Sequence, residues 1–549
     1  MFLSLLQGFR QRWNGWIAIS GIGALAALLP SLYILAGLWG EPGENWAHIR
    51  TYILPSHLME SLQLVAGTVA ASVAIGVSLA WLVAAYDFPL RRMFSALLVL
   101  PLAIPPYIAA YTYGDMLSYT GTVQKLLRNG LGLTPNQRYF DIMSMQGAVF
   151  IFAMFLFPYV YLMTKSFLER HSAAYIENAR LLGHRPLSVF LRVVLPLSQG
   201  AIVGGASLVA FEVLGDYGVA KHFGIQTFTV AIFKTWFGMY DLESAIRLAG
   251  ALMSVLIGIF VIERLLRSRK RFNASVSGGA VLKRKRLRGI PAALTVGFCS
   301  IVVLLSFIIP VAQLTVWATW TYDDIWNDRF PAMIRNTVSV SAAAVCIIML
   351  MSVIAANSLR MWRSGFTLAG SKLLLMGYSI PGAVMAIGVL ALFLSLDQAL
   401  SGLYGMMGLG EGKLVLSMSL AMLVFAFVAR FLSVGFNAVD AGYDRIGTKY
   451  AEASRLLGYG ITSTFFRIDW PLLKGSILTG AVMTFMEVVK ELPLTLLLRP
   501  FNFDTLATKA YQYASDEQIH QASLPSLLII TLGVASVCLY HFIGRGEKA

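Results

Sequence analysis

The sequence specifies an all-α polytopic membrane protein of about twelve transmembrane helices, arranged as two parallel six-helix repeats. Three observations carry this reading. Of 549 residues, 57% are hydrophobic and 13% charged, about half the charged share of a soluble protein. Apolar runs of roughly 20 residues, the length that crosses a bilayer, recur along the whole chain. A polar segment between two such runs then occurs twice, as YIENARLLGHRPLSVFLRVVLP at 175–196 and YAEASRLLGYGITSTFFRIDWP at 450–471. Gly183 and Gly458 stand 275 positions apart, a period that suits a duplicated domain and not a solenoid unit.

The spans follow in order. In the first half, apolar runs lie near 17–39, 61–86, 94–117, 145–168, 197–220 and 244–266. In the second they lie near 290–318, 334–358, 371–395, 414–437, 474–497 and 523–544. The first run exceeds a signal-peptide core, so it reads as an uncleaved membrane helix. The halves stay in register outside the loops: Ile104-Pro105 answers Ile380-Pro381, and Glu212 answers Glu487. With an even number of spans each, they share one orientation about an axis along the membrane normal. The expected division is 1–266, a linker at 267–289, and 290–549.

The net charge of +15 is not a nucleic-acid footprint, because the basic residues sit in short stretches between apolar runs. Arg91-Arg92, RSRKRF (267–272), KRKRLR (283–288), Arg360, Arg363 and both repeated loops fall on one side. EPGE (41–44), TYDDIWND (321–328) and ASDE (514–517) fall on the other. The positive-inside rule makes the basic side cytoplasmic, with both termini. The linker, with nine Lys/Arg among Ser, Gly and Asn, reads as a flexible cytoplasmic tether; an anionic-lipid site is the sharper alternative. Cys299, Cys346 and Cys538 share no metal-ligand or disulfide spacing and read as buried small hydrophobes.

Each repeated loop has a glutamate, a helix-permissive stretch, a glycine suited to a left-handed helix end, and a proline in the first turn of the next span. The expected form is a short helix across the membrane face, a glycine turn and a second helix entering the bilayer. Leu181-Leu182 and Leu456-Leu457 either pack on the protein's own spans or serve for docking. Duplication at equal spacing favours docking, and two related copies suit a partner with two equivalent subunits.

These loops resemble the EAA motif of ABC importer permeases served by a binding protein: EAA, three residues, G, nine residues, I-x-L-P. Copy one supplies Glu177, Ala179, Gly183, Leu195 and Pro196, with Asn178 and Val193 departing. Copy two supplies Glu452, Ala453, Gly458, Ile468 and Pro471, with Ser454 and Trp470 departing. The resemblance implies a type I permease fold and coupling helices at 174–186 and 449–461 that dock two copies of a cytoplasmic ABC ATPase. It further implies a periplasmic solute-binding protein and a multi-pass location in the bacterial inner membrane. Alternating access would follow from rocking of the halves. The fused plan, FEVLGDYGVAKHFG (211–224) and ELPLTLLLRPFNFDTLATKAYQYASDE (491–517) are similar to the iron(III)-type permeases. Fused thiamine permeases share the two-half plan, so the cargo stays open between them.

The chain itself is expected to be no enzyme and to bind no cofactor or metal; ATP and Mg belong to the partner. Its nearest approach to a P-loop, GLGEGKLV (408–415), has Met407 where a glycine is needed and Leu414 in place of Ser/Thr. No HExxH or GxSxG is present. Inside the apolar runs, Glu212 and Glu487 lie roughly 20 Å from the cytoplasmic ends of their spans, and Asp216 and Glu491 about one turn beyond. Carboxylates at that depth face a water-filled route or a partner. One reading places these four acids on the translocation path; the other pairs Glu487 with Lys490 and bonds Glu212 to a neighbouring helix. Pro101, Pro105, Pro106 and Pro381 either shape a cavity or are packing irregularities. The rival from another class, an ion-driven secondary transporter, has no use for twin docking loops.

Overall fold

The computed structural model describes residues 15–133, 136–171, 173–268, 282–361, 377–408 and 412–546. Residues 269–281 of the linker, Arg363, and 409–411 of the GLGEGKLV loop lie outside the described residues. Ten helices among the described residues are long and apolar enough to cross a membrane, or eleven if one bent pair counts as a span. The twelve expected is slightly more than this, for identifiable reasons. The third run is broken into Arg91–Ala103 and Pro106–Gly130, bent by 91°. The twelfth run forms the helix Ser523–Gly546, but its apolar part, Ser523–Leu539, is shorter than the others.

Proline explains the breaks. Leu100–Ala103 forms a 3₁₀ turn, Ile104 and Pro105 are extended, and helix resumes at Pro106. A residue before proline is kept out of the helical region, so Ile104-Pro105-Pro106 stays open for two residues. The ninth run repeats the pattern with a 3₁₀ turn at Gly377–Ser379, an extended Pro381 and helix from Gly382. Elsewhere proline is accommodated without a break. Single π turns at Ile49–Ile53, Phe190–Val194, Leu304–Ile308 and Phe465–Asp469 each end two residues before a proline. Proline lacks the N–H and its ring displaces the carbonyl four residues back, and the wider turn absorbs both.

The chain forms two compact units that cut across the sequence halves. One comprises Met1–Glu41, Asp328–Thr508 and Leu532–Ala549; the other comprises Pro42–Asn327 and Lys509–Thr531. Within the first unit, Gly15–Gly37 packs on Phe330–Met361 and Gly382–Met406. Tyr33 Oη meets Ser395 Oγ at 2.6 Å, and Trp16 Nε1 donates to Thr462 Oγ1 at 3.2 Å. Within the second, Tyr113 Oη donates to the Leu305 carbonyl at 2.5 Å, and Gln313 donates to Thr122. The first span of each sequence half therefore belongs to the unit that holds the other half's remaining spans.

The second unit contains a two-stranded parallel sheet, with Tyr86–Asp87 as β1 and Lys285–Arg286 as β2. Residues 282–288, expected to be tether, are thus held in place. Cys299 is buried as expected, whereas Cys346 and Cys538 are exposed on helix faces that a bilayer would cover.

Candidate functional site

Both repeated loops fold as the spacing predicts. The first repeat helix is Ala173–Leu181 and the second is Lys449–Leu456. Each is closed by a glycine in the left-handed region, Gly183 at φ +76° and Gly458 at φ +83°. The Gly183 N–H donates to the Arg180 carbonyl and the His184 N–H to that of Ala179; Gly458 to Arg455 and Tyr459 to Ser454 repeat the arrangement. These crossed bonds satisfy two of the last carbonyls of each helix and require a positive φ at the glycine. A Cβ at either glycine would meet nothing within 4 Å, so the requirement comes from the backbone alone.

Each helix buries one face and presents the other. Ile176 and Ala179 are buried in the first copy, Ala451 and Ser454 in the second. The paired leucines point outward: Leu181 is 85% exposed, Leu182 78%, Leu456 88% and Leu457 77%. The motif alanines do not coincide, since Ala179 faces inward and Ala453 outward. The inward position of copy two belongs to Ser454, whose hydroxyl meets Thr464 Oγ1 at 2.8 Å. A serine is tolerated there because its hydroxyl has a partner. In sequence, Ser454 is only a departure from the motif.

The exits are built alike. Pro186–Val189 and Ile461–Thr464 lead through the π turns into Leu195–Gly215 and Trp470–Val489, with Pro196 and Pro471 in the first turns. In the second copy, Arg360 ties entry to exit. Its guanidinium donates to Asp469 at 2.6 Å and to the Gly447 carbonyl at 2.7 Å, and lies 4.7 Å over the Tyr443 ring. From sequence, Arg360 is only a marker of the cytoplasmic side.

Of the four membrane acids, Glu487 lies 2.8 Å from Lys490 Nζ. Glu491, 7% exposed, accepts from Arg430 Nη1 at 2.6 Å and from the Leu494 N–H at 3.2 Å. Asp216, its repeat equivalent, accepts from the Val219 N–H at 2.7 Å. Both acids, one residue before the N-cap, therefore accept from the first turn of the short helix that follows, Gly218–His222 or Pro493–Leu498. Glu212 is partly buried in Leu195–Gly215. Arg430 is the one charged residue of the apolar run at 414–437, within the helix Leu420–Ile446. A basic residue in an apolar run is itself the signal that would have found it. Gly382 makes room for the pair, because a Cβ there would overlap both Arg430 and Glu491.

The second unit also contains a cavity of about 370 Å³ lined by Tyr107, Tyr111, Lys221, His222, Tyr511 and Glu517, among others. Met143 in its lining precedes the Met145–His171 helix, while the first repeat helix follows that helix. Cavity and repeat helix thus lie at opposite ends of a 27-residue helix. Burial pushes the His222 imidazole down to about 4. Among the described residues no group of three or more His, Cys, Asp or Glu could hold a metal ion.

Residues 49–268 match the family described as the binding-protein-dependent transport system inner membrane component. The chain is 23% identical over 467 residues to the Fe(3+)-transport system permease protein FbpB 2 of Haemophilus influenzae, covering 84% of each chain. It is 30% identical over 146 residues to the sulfate transport system permease protein CysT of Salmonella typhimurium, 26% of this chain and 49% of that one. With the molybdenum transport system permease protein ModB of Escherichia coli it shares 28% identity over 163 residues, 30% of this chain and 69% of that one.

Proposed function

From the premise that the chain is a fused two-half permease of the binding-protein-dependent ABC importer family, we propose that it carries ferric iron across the bacterial inner membrane. A periplasmic solute-binding protein delivers the ion. Two copies of a cytoplasmic ATPase seat on residues 174–186 and 449–461 and spend ATP with Mg, and the chain itself binds no cofactor. Both termini and both loops lie on the cytoplasmic side, where the basic residues concentrate.

The observation that carries the docking is the duplicated geometry. Two helices, each ended by a left-handed glycine, hold a pair of leucines out of the protein. Exposed apolar groups on a polar element mark an interaction surface. Glu177, Ala179, Gly183 and Pro196, with Glu452, Ala453, Gly458 and Pro471, shape these sockets. Iron rests on a relative, named for Fe(3+) transport, that resembles the chain over most of both lengths. An oxyanion cargo is the second reading, favoured by the higher identity to the sulfate and molybdenum permeases over shorter stretches.

The test is uptake into liposomes holding the chain, its ATPase and its binding protein, with radiolabelled ferric iron, sulfate and molybdate in parallel. Iron accumulation that needs both ATP and the binding protein is the expected result. Accumulation of an oxyanion alone replaces iron by the second reading, and accumulation without an ATPase restores the secondary transporter. In the same system Glu212→Gln with Glu487→Gln tests the translocation path; unchanged uptake at normal expression removes those two acids from it.

A further inference from the structure

The two repeated loops are alike in backbone and unlike in what holds them. In the first, the Glu177 carboxylate accepts from the Lys283 N–H at 3.2 Å. Arg180 donates to the Lys283 carbonyl at 3.1 Å and to the Ala85 carbonyl at 3.5 Å. Lys283 therefore has both backbone groups occupied by motif side chains. The segment continues as β2, with Lys285 beside Tyr86 and Arg286 beside Asp87, and the Leu287 N–H donates to the Asp87 carbonyl at 2.9 Å. Arg284 pairs with Glu169 at 3.2 Å. Leu282 is buried in the same cluster as Ile176, Ala179 and Phe94.

In the second copy the equivalent side chains, Glu452 and Arg455, are exposed. Among the described residues that loop is tied instead by Arg360 through Asp469 and Gly447. The repeat counterpart of Arg360 is Ala85, which has no side chain to do this and offers only its carbonyl, the one Arg180 takes.

We propose that residues 282–287, the end of the connection between the halves, form a built-in brace for the first coupling loop. Glu177 and Arg180 are positioning residues that grip this brace, and Glu452 is the motif glutamate left open to an ATPase. The two sockets are then mechanically unequal. Motion of the first carries the linker strand with it, whereas the second moves against Arg360. The assignment of an ATPase as partner rests on the permease reading, but the grip itself does not.

Two measurements separate these. The first is hydrogen exchange on the purified chain alone. Glu177→Ala is expected to raise exchange at the amides of 283–287 about fivefold, the effect of one lost hydrogen bond. Glu177→Gln, which keeps an acceptor oxygen, is expected to leave exchange unchanged. Equal protection in wild type and Glu177→Ala overturns the brace.

The second adds the ATPase and reads substrate moved per ATP spent. Glu177→Ala and Leu287→Pro, which removes the N–H bonded to Asp87, should each lower that ratio about fivefold and together no further. Glu177→Gln should restore it, whereas Glu452→Gln should be as poor as Glu452→Ala. A Glu177→Gln as defective as Glu177→Ala means that the carboxylate meets a cation on the ATPase, and overturns the positioning role even where Leu287→Pro fails to fold. If no ATPase binds the wild type while the exchange pattern holds, the permease reading fails and the brace stands.

Discussion

The ion pair between Arg430 and Glu491 offers a sharp energetic test. Their side chains are 11% and 8% exposed and 2.6 Å apart, so neither charge is solvated on its own. Removing one partner of such a pair strands the other and costs about 3–5 kcal/mol. Glu491→Gln should still accept from the Leu494 N–H through its amide oxygen, which isolates the charge effect from that hydrogen bond. Arg430→Met leaves the carboxylate stranded. The double variant removes both charges and should return to within about 1–2 kcal/mol of wild type, because a buried pair replaced as a unit is often near neutral. The coupling between the two sites is then on the order of 4–9 kcal/mol and opposite in sign to the single losses. The assay is unfolding of the purified protein in detergent, followed by tryptophan fluorescence, with uptake measured on the same four proteins. Single variants within about 0.5 kcal/mol of wild type, or a double variant as unstable as the sum of the singles, refute the reasoning. A double variant that is stable yet does not transport assigns the Glu491 charge to the cargo route.

Other expectations follow from the same geometry. Gly183→Ala and Gly458→Ala each force a left-handed conformation costing about 1–2 kcal/mol; ATPase retention on affinity resin should fall for each, and more for the pair, while expression stays normal. Arg360→Ala strands Asp469, which is 4% exposed, and should destabilise the protein by about 3 kcal/mol, read as a lower unfolding temperature; an unchanged temperature removes its tying role. For His222, the folded value near 4 lies below the ordinary 6.5, so the unfolded chain binds the proton more readily between those values. Its contribution is fully present above about pH 6.5 and is lost as the pH falls towards 4. His222→Gln should flatten the unfolding profile over that window.

Hydropathy and period made much of this architecture legible. The spans are local features, each readable from some twenty residues, and the repeat loops carry their glycine and proline at fixed offsets. The helix ends at Gly183 and Gly458 follow from sequence for the same reason. What stayed hidden is long-range. The pairing of 86–87 with 285–286 joins strands of two residues, too short to show alternation. Arg430 and Glu491 stand 61 positions apart, and no local pattern links them. The inward turn of Ser454 depends on Thr464, ten residues on, so the departure from consensus hid its role. The span count differed by one or two because hydropathy does not register a 91° bend at prolines.

The exchange of first spans has a consequence for how the chain is made. Gly15–Gly37 leaves the ribosome well before the helices it packs on, which begin at Phe330. At about 5–20 residues per second, close to 300 residues of synthesis leave it waiting roughly 15–60 s for a partner. During that time it sits in lipid, which its apolar sequence and lack of charged residues allow. Release of a nascent chain before residue 330 leaves an inserted helix without the neighbours that Phe330–Met361 and Gly382–Met406 supply.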